Sequence, residues 1–217
     1  MIALWVMIAV VQAWAQAPTP YELPKVALKT NITDLVSPFK PTLTLGTEIR
    51  LTRQFTAEFG YGYIFDGFPY ADEEEESYTG ALWRFNSKYY YRIHPQKSSY
   101  WGIELKRTDV TNEHWLQFSR QGNAYEEVRL VNRTVLTESI GGKIGKLIKL
   151  GATGKIFLDV YFGLNFRWNK VAVDLPEDAI LVEETVGFLE PNFYLPYGKT
   201  QRSGLLGGVY LVWVVGQ

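Results

Sequence analysis

"TLTLGTEIRLTRQFTAEFGYGYIF", residues 42–65, sets large apolar side chains on alternate positions: Leu43, Leu45, Ile49 and Leu51, then Phe55, Phe59, Tyr61, Tyr63 and Phe65. Between them stand Glu48, Arg50, Glu58, Gly60 and Gly62. Successive side chains of a strand point to opposite faces, so a period of two means strands with two unlike faces.

The same reading along the chain predicts eight strands, at roughly 25–31, 42–52, 55–66, 80–93, 99–119, 125–148, 155–171 and 203–215. Tight links with turn-forming residues at 51–55, 94–99 (HPQKSS) and 149–155 alternate with longer ones at 32–41, 67–79 and 172–202. The link RQGNAYE, 120–126, is short but joins the two longest strands. Short and long links alternating along an even number of strands make the plan of an all-β, eight-stranded antiparallel up-and-down transmembrane β-barrel, with periplasmic turns and extracellular loops.

Alternation leaves open which face is outside; volume argues for one of them. An eight-stranded barrel has an interior just wide enough for side chains to fill. Phe55, Phe59, Tyr61, Tyr63 and Phe65, with Trp83, Phe85, Tyr89 and Tyr91 and the run Ile156 to Trp168, are too bulky for it. The complementary face holds glycines and charges: Glu48, Arg50, Glu58, Arg84, Lys88, Arg92, Glu104, Lys106, Asp159 and Arg167. That face is expected inside, as a plug of paired charges, since isolated buried charges are costly and paired ones tolerated. Tyr89 to Tyr91, Tyr100, Trp101, Trp168, Tyr210 and Trp213 fall near strand ends and are expected in interfacial girdles. The alternative is a secreted lipocalin-like barrel with an aromatic ligand cavity.

Composition agrees with export. There is no Cys among 217 residues, which excludes disulfides, thiolate chemistry and a lipid-anchored N-terminal Cys. A net charge of -1 without a basic stripe gives no argument for nucleic acid. The start, MIALWVMIAVVQAWAQAPTP, carries a short apolar run and Ala13-Trp14-Ala15, a small-x-small cleavage signature. We expect a signal peptide at 1–17, although no Lys or Arg precedes it, a leader at 18–24 and the barrel at 25–217. The location expected is the outer membrane of a Gram-negative bacterium. The last strand, SGLLGGVYLVWVVGQ, has the glycine-to-hydrophobic spacing of outer-membrane barrels at Gly207, Leu211 and Trp213, but ends on Val-Gly-Gln rather than an aromatic residue.

"VALKTNITDLVSPFKPTLTLGTEIRLTRQF", beginning at Val26, resembles the opening of a Bacteroidota family of small outer-membrane β-barrels of the OmpA-like eight-stranded type. Ala27, Leu28, Lys29, Thr30, Asn31, Gly46 and Glu48 carry the likeness, which covers about the first third of the chain. The resemblance implies a fold and a location. The family is a domain of unknown function, so it implies no catalytic residues.

No catalytic, cofactor or metal site is expected. His94 lies in a tight turn. His114 has Glu113 beside it and Ser119 five residues on, but both point to the opposite face, so no local triad forms. A lipid A deacylase-like enzyme would need Ser139 or Thr137 from the neighbouring strand, and a narrow polar channel would need the lumen charges unpaired. The expected role is non-enzymatic surface interaction, since Asp72, Glu73, Glu74, Glu75 and Glu76, with the segment Val173 to Thr200, hold 11 of the 23 acids. "DEEEES" lacks the spaced Asp/Asn and Gly of a calcium loop and reads as a solvated acidic face. Phe188, Phe193 and Tyr194 add apolar surface. Strands 99–119 and 125–148 are about twice the 9–11 residues that cross a membrane, so a hairpin around Trp115, Phe118 and Tyr125 should project, with edges open to another chain. Expected partners are outer-membrane lipid and lipopolysaccharide, or another membrane or surface protein.

Overall fold

The computed structural model describes residues 23–37, 41–65, 78–122, 124–151, 154–181 and 198–216. The order is β1 (Val26–Asn31), α1 (Ile32–Leu35), β2 (Thr42–Arg50), β3 (Phe55–Ile64), β4 (Tyr78–Arg92), β5 (Lys97–Arg120), β6 (Tyr125–Leu150), β7 (Ile156–Val173), β8 (Ile180–Leu181) and β9 (Gly198–Gly216). Each strand from β1 to β7 pairs antiparallel with the next, β7 pairs with β9, and β9 returns to β1. Eight strands thus close in an up-and-down ring, as the spacing of the turns predicts. Closure removes every edge within the ring.

The turns at one end follow from their residues. Thr52 accepts the amides of Gln54 and Phe55 through Oγ1, which folds the β2–β3 link. At the other end Gln121 (φ 50°) and Gly122 (φ 68°) take left-handed conformations to reverse β5 into β6. Asn31 caps α1: its Oδ1 accepts the amides of Thr33 at 3.1 Å and Asp34 at 3.3 Å. That single turn brings the Asp34 carboxylate to Arg84, at 2.9 Å.

The outer wall is apolar. Leu45, Phe59, Tyr61, Trp83, Phe85, Leu105, Ile144, Phe162, Leu164, Phe166, Leu205 and Trp213 all stand 42–67% exposed. The inner face alternates with it and is buried along most of its length. Three tyrosines depart from the expected girdles: Tyr90, Tyr100 and Tyr210 point inward and are at most 3% exposed. They share the parity of the charged positions, and a phenol supplies both bulk and a hydrogen bond there. Glycine makes the room, for the Tyr100 ring lies directly over Gly145 on β6. Towards the short turns Leu23, Leu147, Phe157 and Val212 pack with these tyrosines, so the lumen also holds an apolar cluster.

β5 and β6, with 24 and 26 residues, rise past their neighbours as a hairpin. β4 leaves β5 at Asn112, and β7 leaves β6 at Arg133. One expectation is corrected here. The long link after β7 supplies β8, which pairs Ile180 and Leu181 with Ser119 and Phe118, so the β5 edge is covered at that point by this chain itself.

Candidate functional site

The strand register brings most of the charges into two connected clusters. In the first, the ammonium of Lys29 on β1 donates to Glu48 at 2.9 Å, Glu58 at 2.8 Å and Asp159 at 2.7 Å. Lys88 on β4 reaches the same three carboxylates, at 2.8, 3.2 and 2.7 Å. Two glycines make this possible. Lys29 stands opposite Gly46, which stands opposite Gly60, so nothing blocks the lysine across two strands. The remaining lone pairs are filled by neutral donors: Thr56 and Tyr90 to Glu48, Asn86 to Glu58, and Tyr100 to Asp159 at 2.6 Å.

In the second cluster Lys143 donates to Glu104 at 2.8 Å and to Asn86 at 2.7 Å. Arg84 pairs with Asp34, stands 3.7 Å from Glu104, and donates to the Tyr210 hydroxyl. Each lysine also lies over a tyrosine ring, Lys29 on Tyr210, Lys88 on Tyr100 and Lys143 on Tyr161, with centroids 4.4–4.9 Å away.

Glu48, Glu58 and Asp159 lie close enough together to suggest a metal site. The donor set does not fit one: both ammoniums already sit among these carboxylates, and a cation would have to displace two bonded lysines. The arrangement is electrostatic cross-bracing, with no nucleophile and no base left free among its members.

Of the lumen residues expected from sequence, Glu48, Glu58, Arg84, Lys88, Glu104 and Asp159 are brought together. Lys106 and Arg167 face the lumen without an ion pair among the described residues; Arg167 reaches only Asn165 Oδ1 at 3.3 Å and the Leu205 carbonyl at 3.4 Å. Two placements are corrected. Arg50 stands at the rim, donating to the Leu23 carbonyl at 2.7 Å. Arg92 is exposed, because the β4–β5 register shifts between Tyr90 and Arg92 and takes it off the inner face. Lys29, Lys143 and Asp34 were not expected there. Lys29 and Lys143 carry a signal, since each alternates with small or polar neighbours: Asn31 for one, Gly141 and Gly145 for the other. Asp34 carries none, because it arrives on a helical turn.

Of the expected surface residues, Trp115 and Tyr125 are 55% and 47% exposed, whereas Phe118 is fully buried. It packs with Leu116 and Val131 under Val173, Leu175 and Ala179, because the segment after β7 folds over the inner face of the hairpin. Asp72, Glu73, Glu74, Glu75, Glu76, Phe188, Phe193 and Tyr194, and the signal peptide, lie outside the described residues. His114 stands opposite Val131, and Ser139 opposite Lys106, eight residues further down β5. At about 3.4 Å per residue this separates the two backbones by roughly 27 Å, which removes Ser139 as a partner for His114.

No protein-family model matches the chain, and no curated protein matches it. Among solved structures it is similar to the crystal structure of a major outer membrane protein from Thermus thermophilus, with 11% identity over 87% of this chain and 96% of that one and a TM-score of 0.41. At that score the likeness carries no argument, and the barrel stands on its own strand pairing.

Proposed function

We propose that the chain is an outer-membrane β-barrel of a Gram-negative bacterium, of the Bacteroidota type its opening strands resemble. In this reading it is a non-enzymatic scaffold that holds the β5–β6 hairpin out to a surface partner, either lipopolysaccharide or another membrane or surface protein. One observation carries the membrane half: the outer wall is dominated by large exposed apolar side chains, while the two clusters of buried ion pairs are turned inward. A water-soluble barrel would invert that arrangement. The charged interior argues against a wide pore. The scaffold half rests on the hairpin, whose outward face sets Trp115 opposite Leu130 and beside Val128, with all three exposed.

The chain has no Cys, which makes single-cysteine labelling clean. Ala124→Cys at the hairpin tip should react with a membrane-impermeant maleimide on intact cells. Arg53→Cys, in a short turn at the opposite end, should react only after the outer membrane is permeabilised. Equal labelling of both sites, with the protein in a soluble fraction, would replace this reading with the secreted barrel.

A further inference from the structure

Beyond the two clusters, the inner wall carries a row of cations of which only Arg84 takes part in their ion pairs. Arg84 on β4 stands opposite Lys106 on β5, Lys106 opposite Ser139 on β6, Ser139 opposite Arg167 on β7, and Arg167 opposite Arg202 on β9. Directly opposite residues share a face with Cβ atoms roughly 5 Å apart, and like charges so placed destabilise a sheet. Lys106 has no hydrogen bond or ion pair among the described residues, and it stands between Arg84, directly opposite on β4, and Arg167, across Ser139 on β7. The two neighbouring acids are engaged elsewhere, Asp34 by Arg84 at 2.9 Å and Glu104 by Lys143 at 2.8 Å.

A second observation is independent of charge counting. Arg84 is 4% exposed, and its Nε, 3.7 Å from Glu104 Oε1, is a buried donor that makes no hydrogen bond. Leaving a buried donor unfilled is costly, and such groups call for an explanation. Lys106 and Arg167 meanwhile keep part of their surface accessible, so the space they face admits a solvent-sized group.

We propose that this row is an oxyanion site, in which Lys106 and Arg167 hold a free phosphate group over the Ser139 hydroxyl. A planar guanidinium matches phosphate oxygens in pairs, and an ammonium adds a compact point charge. Phosphate suits the row better than a monovalent halide, because Lys106 and Arg167 both lack a carboxylate partner among the described residues and together call for more than one negative charge. A lipid headgroup offers the same chemistry, but these side chains face the lumen and not the wall that lipid would touch. The proposal does not depend on which membrane holds the barrel.

The test is a linkage measurement on the full chain folded in neutral detergent, using inorganic phosphate. Ligand that binds only the folded state raises stability in proportion to its occupancy. Phosphate should therefore shift the urea midpoint of the wild type upward and saturably. Lys106→Met should be at least as stable as the wild type without phosphate, since it removes an unpaired charge, and should lose the shift. Arg167→Gln should weaken binding about tenfold or more, while Lys170→Met on the outer wall should bind as the wild type does. No saturable shift in the wild type, or an equal shift in Lys106→Met, would overturn the site. So would equal loss in Lys170→Met, which would mark general surface attraction. Repeating the titration in phosphatidylcholine vesicles with and without phosphatidylglycerol separates the sources. The phosphate shift should be the same in both, and a Lys106-dependent rise caused by phosphatidylglycerol alone would assign the site to lipid and refute the free anion.

Discussion

Lys88→Met tests whether the interior is dry and cross-braced. Methionine keeps the length of the side chain and removes its charge. The lost ammonium is fully buried and lies 2.7 Å from Asp159 and 2.8 Å from Glu48. Coulomb's law at 2.7 Å with an effective dielectric of about 20 gives about 6 kcal/mol per contact, most of it offset by the desolvation of both partners. The net loss from removing one member of a buried pair is about 3–5 kcal/mol, because the carboxylates left behind lack a counter-charge. At about 1.4 kcal/mol per factor of ten, the folded-to-unfolded ratio falls by roughly a hundred- to several-thousand-fold. Urea unfolding of the barrel in lipid vesicles, followed by tryptophan fluorescence, reads this directly. Adding Asp159→Asn to Lys88→Met restores the charge balance of the first cluster and should recover about 2 kcal/mol, a coupling typical of side chains in one network. A single variant that costs less than about 1 kcal/mol, or a double variant equal to the sum of its parts, would mean that water fills the lumen.

Three further outcomes are expected. Gly145→Val drives a side chain into the Tyr100 ring and lifts its hydroxyl from Asp159; the same urea assay should show a loss of about 1–3 kcal/mol, as for overpacking elsewhere. Leu164→Arg, on an outer-wall position 63% exposed, should cost about 2–4 kcal/mol in vesicles if it sits near mid-bilayer, whereas a water-facing wall would leave stability unchanged. The third concerns pH. Arg120 grips Asp178 at 2.8 and 2.9 Å and holds its carboxyl below the usual range. A depressed acid stabilises the fold above its unfolded value, about 4, and loses that contribution as pH falls through its folded one. Hydrogen-exchange protection of the Phe118 and Ser119 amides should therefore decline on acidification in the wild type, and Asp178→Asn should show no such decline over that range.

The barrel was legible because one rule, period two, governs both what each strand buries and how the ring closes. Leu45, Phe59, Trp83 and Leu164 fall outward wherever that rule puts them. It gives way where something besides alternation places the side chain. Arg92 follows a register shift that no sequence pattern announces. Asp34 reaches the lumen on a helical turn, and Phe118 is covered by residues more than 50 positions later in the chain. The inward tyrosines show a different limit. Volume argues against aromatics in a narrow lumen, yet Tyr100 fits because Gly145 lies opposite, a pairing that only register reveals. The surface role proposed for the hairpin has no counterpart in any sequence motif.

The Lys29–Asp159 contact has a consequence for assembly. It joins residues 130 positions apart, on the first strand and the seventh. Until the ring is shut, one ammonium and three acids from β2, β3 and β7 have no shared meeting point, so a partly zipped sheet carries its charges uncompensated. Contacts of such long sequence separation form late and slowly. The network therefore acts as a latch that engages only on completion: an incomplete barrel holds an exposed polar seam that disfavours entry into oil, and the last strand to dock releases that penalty at once.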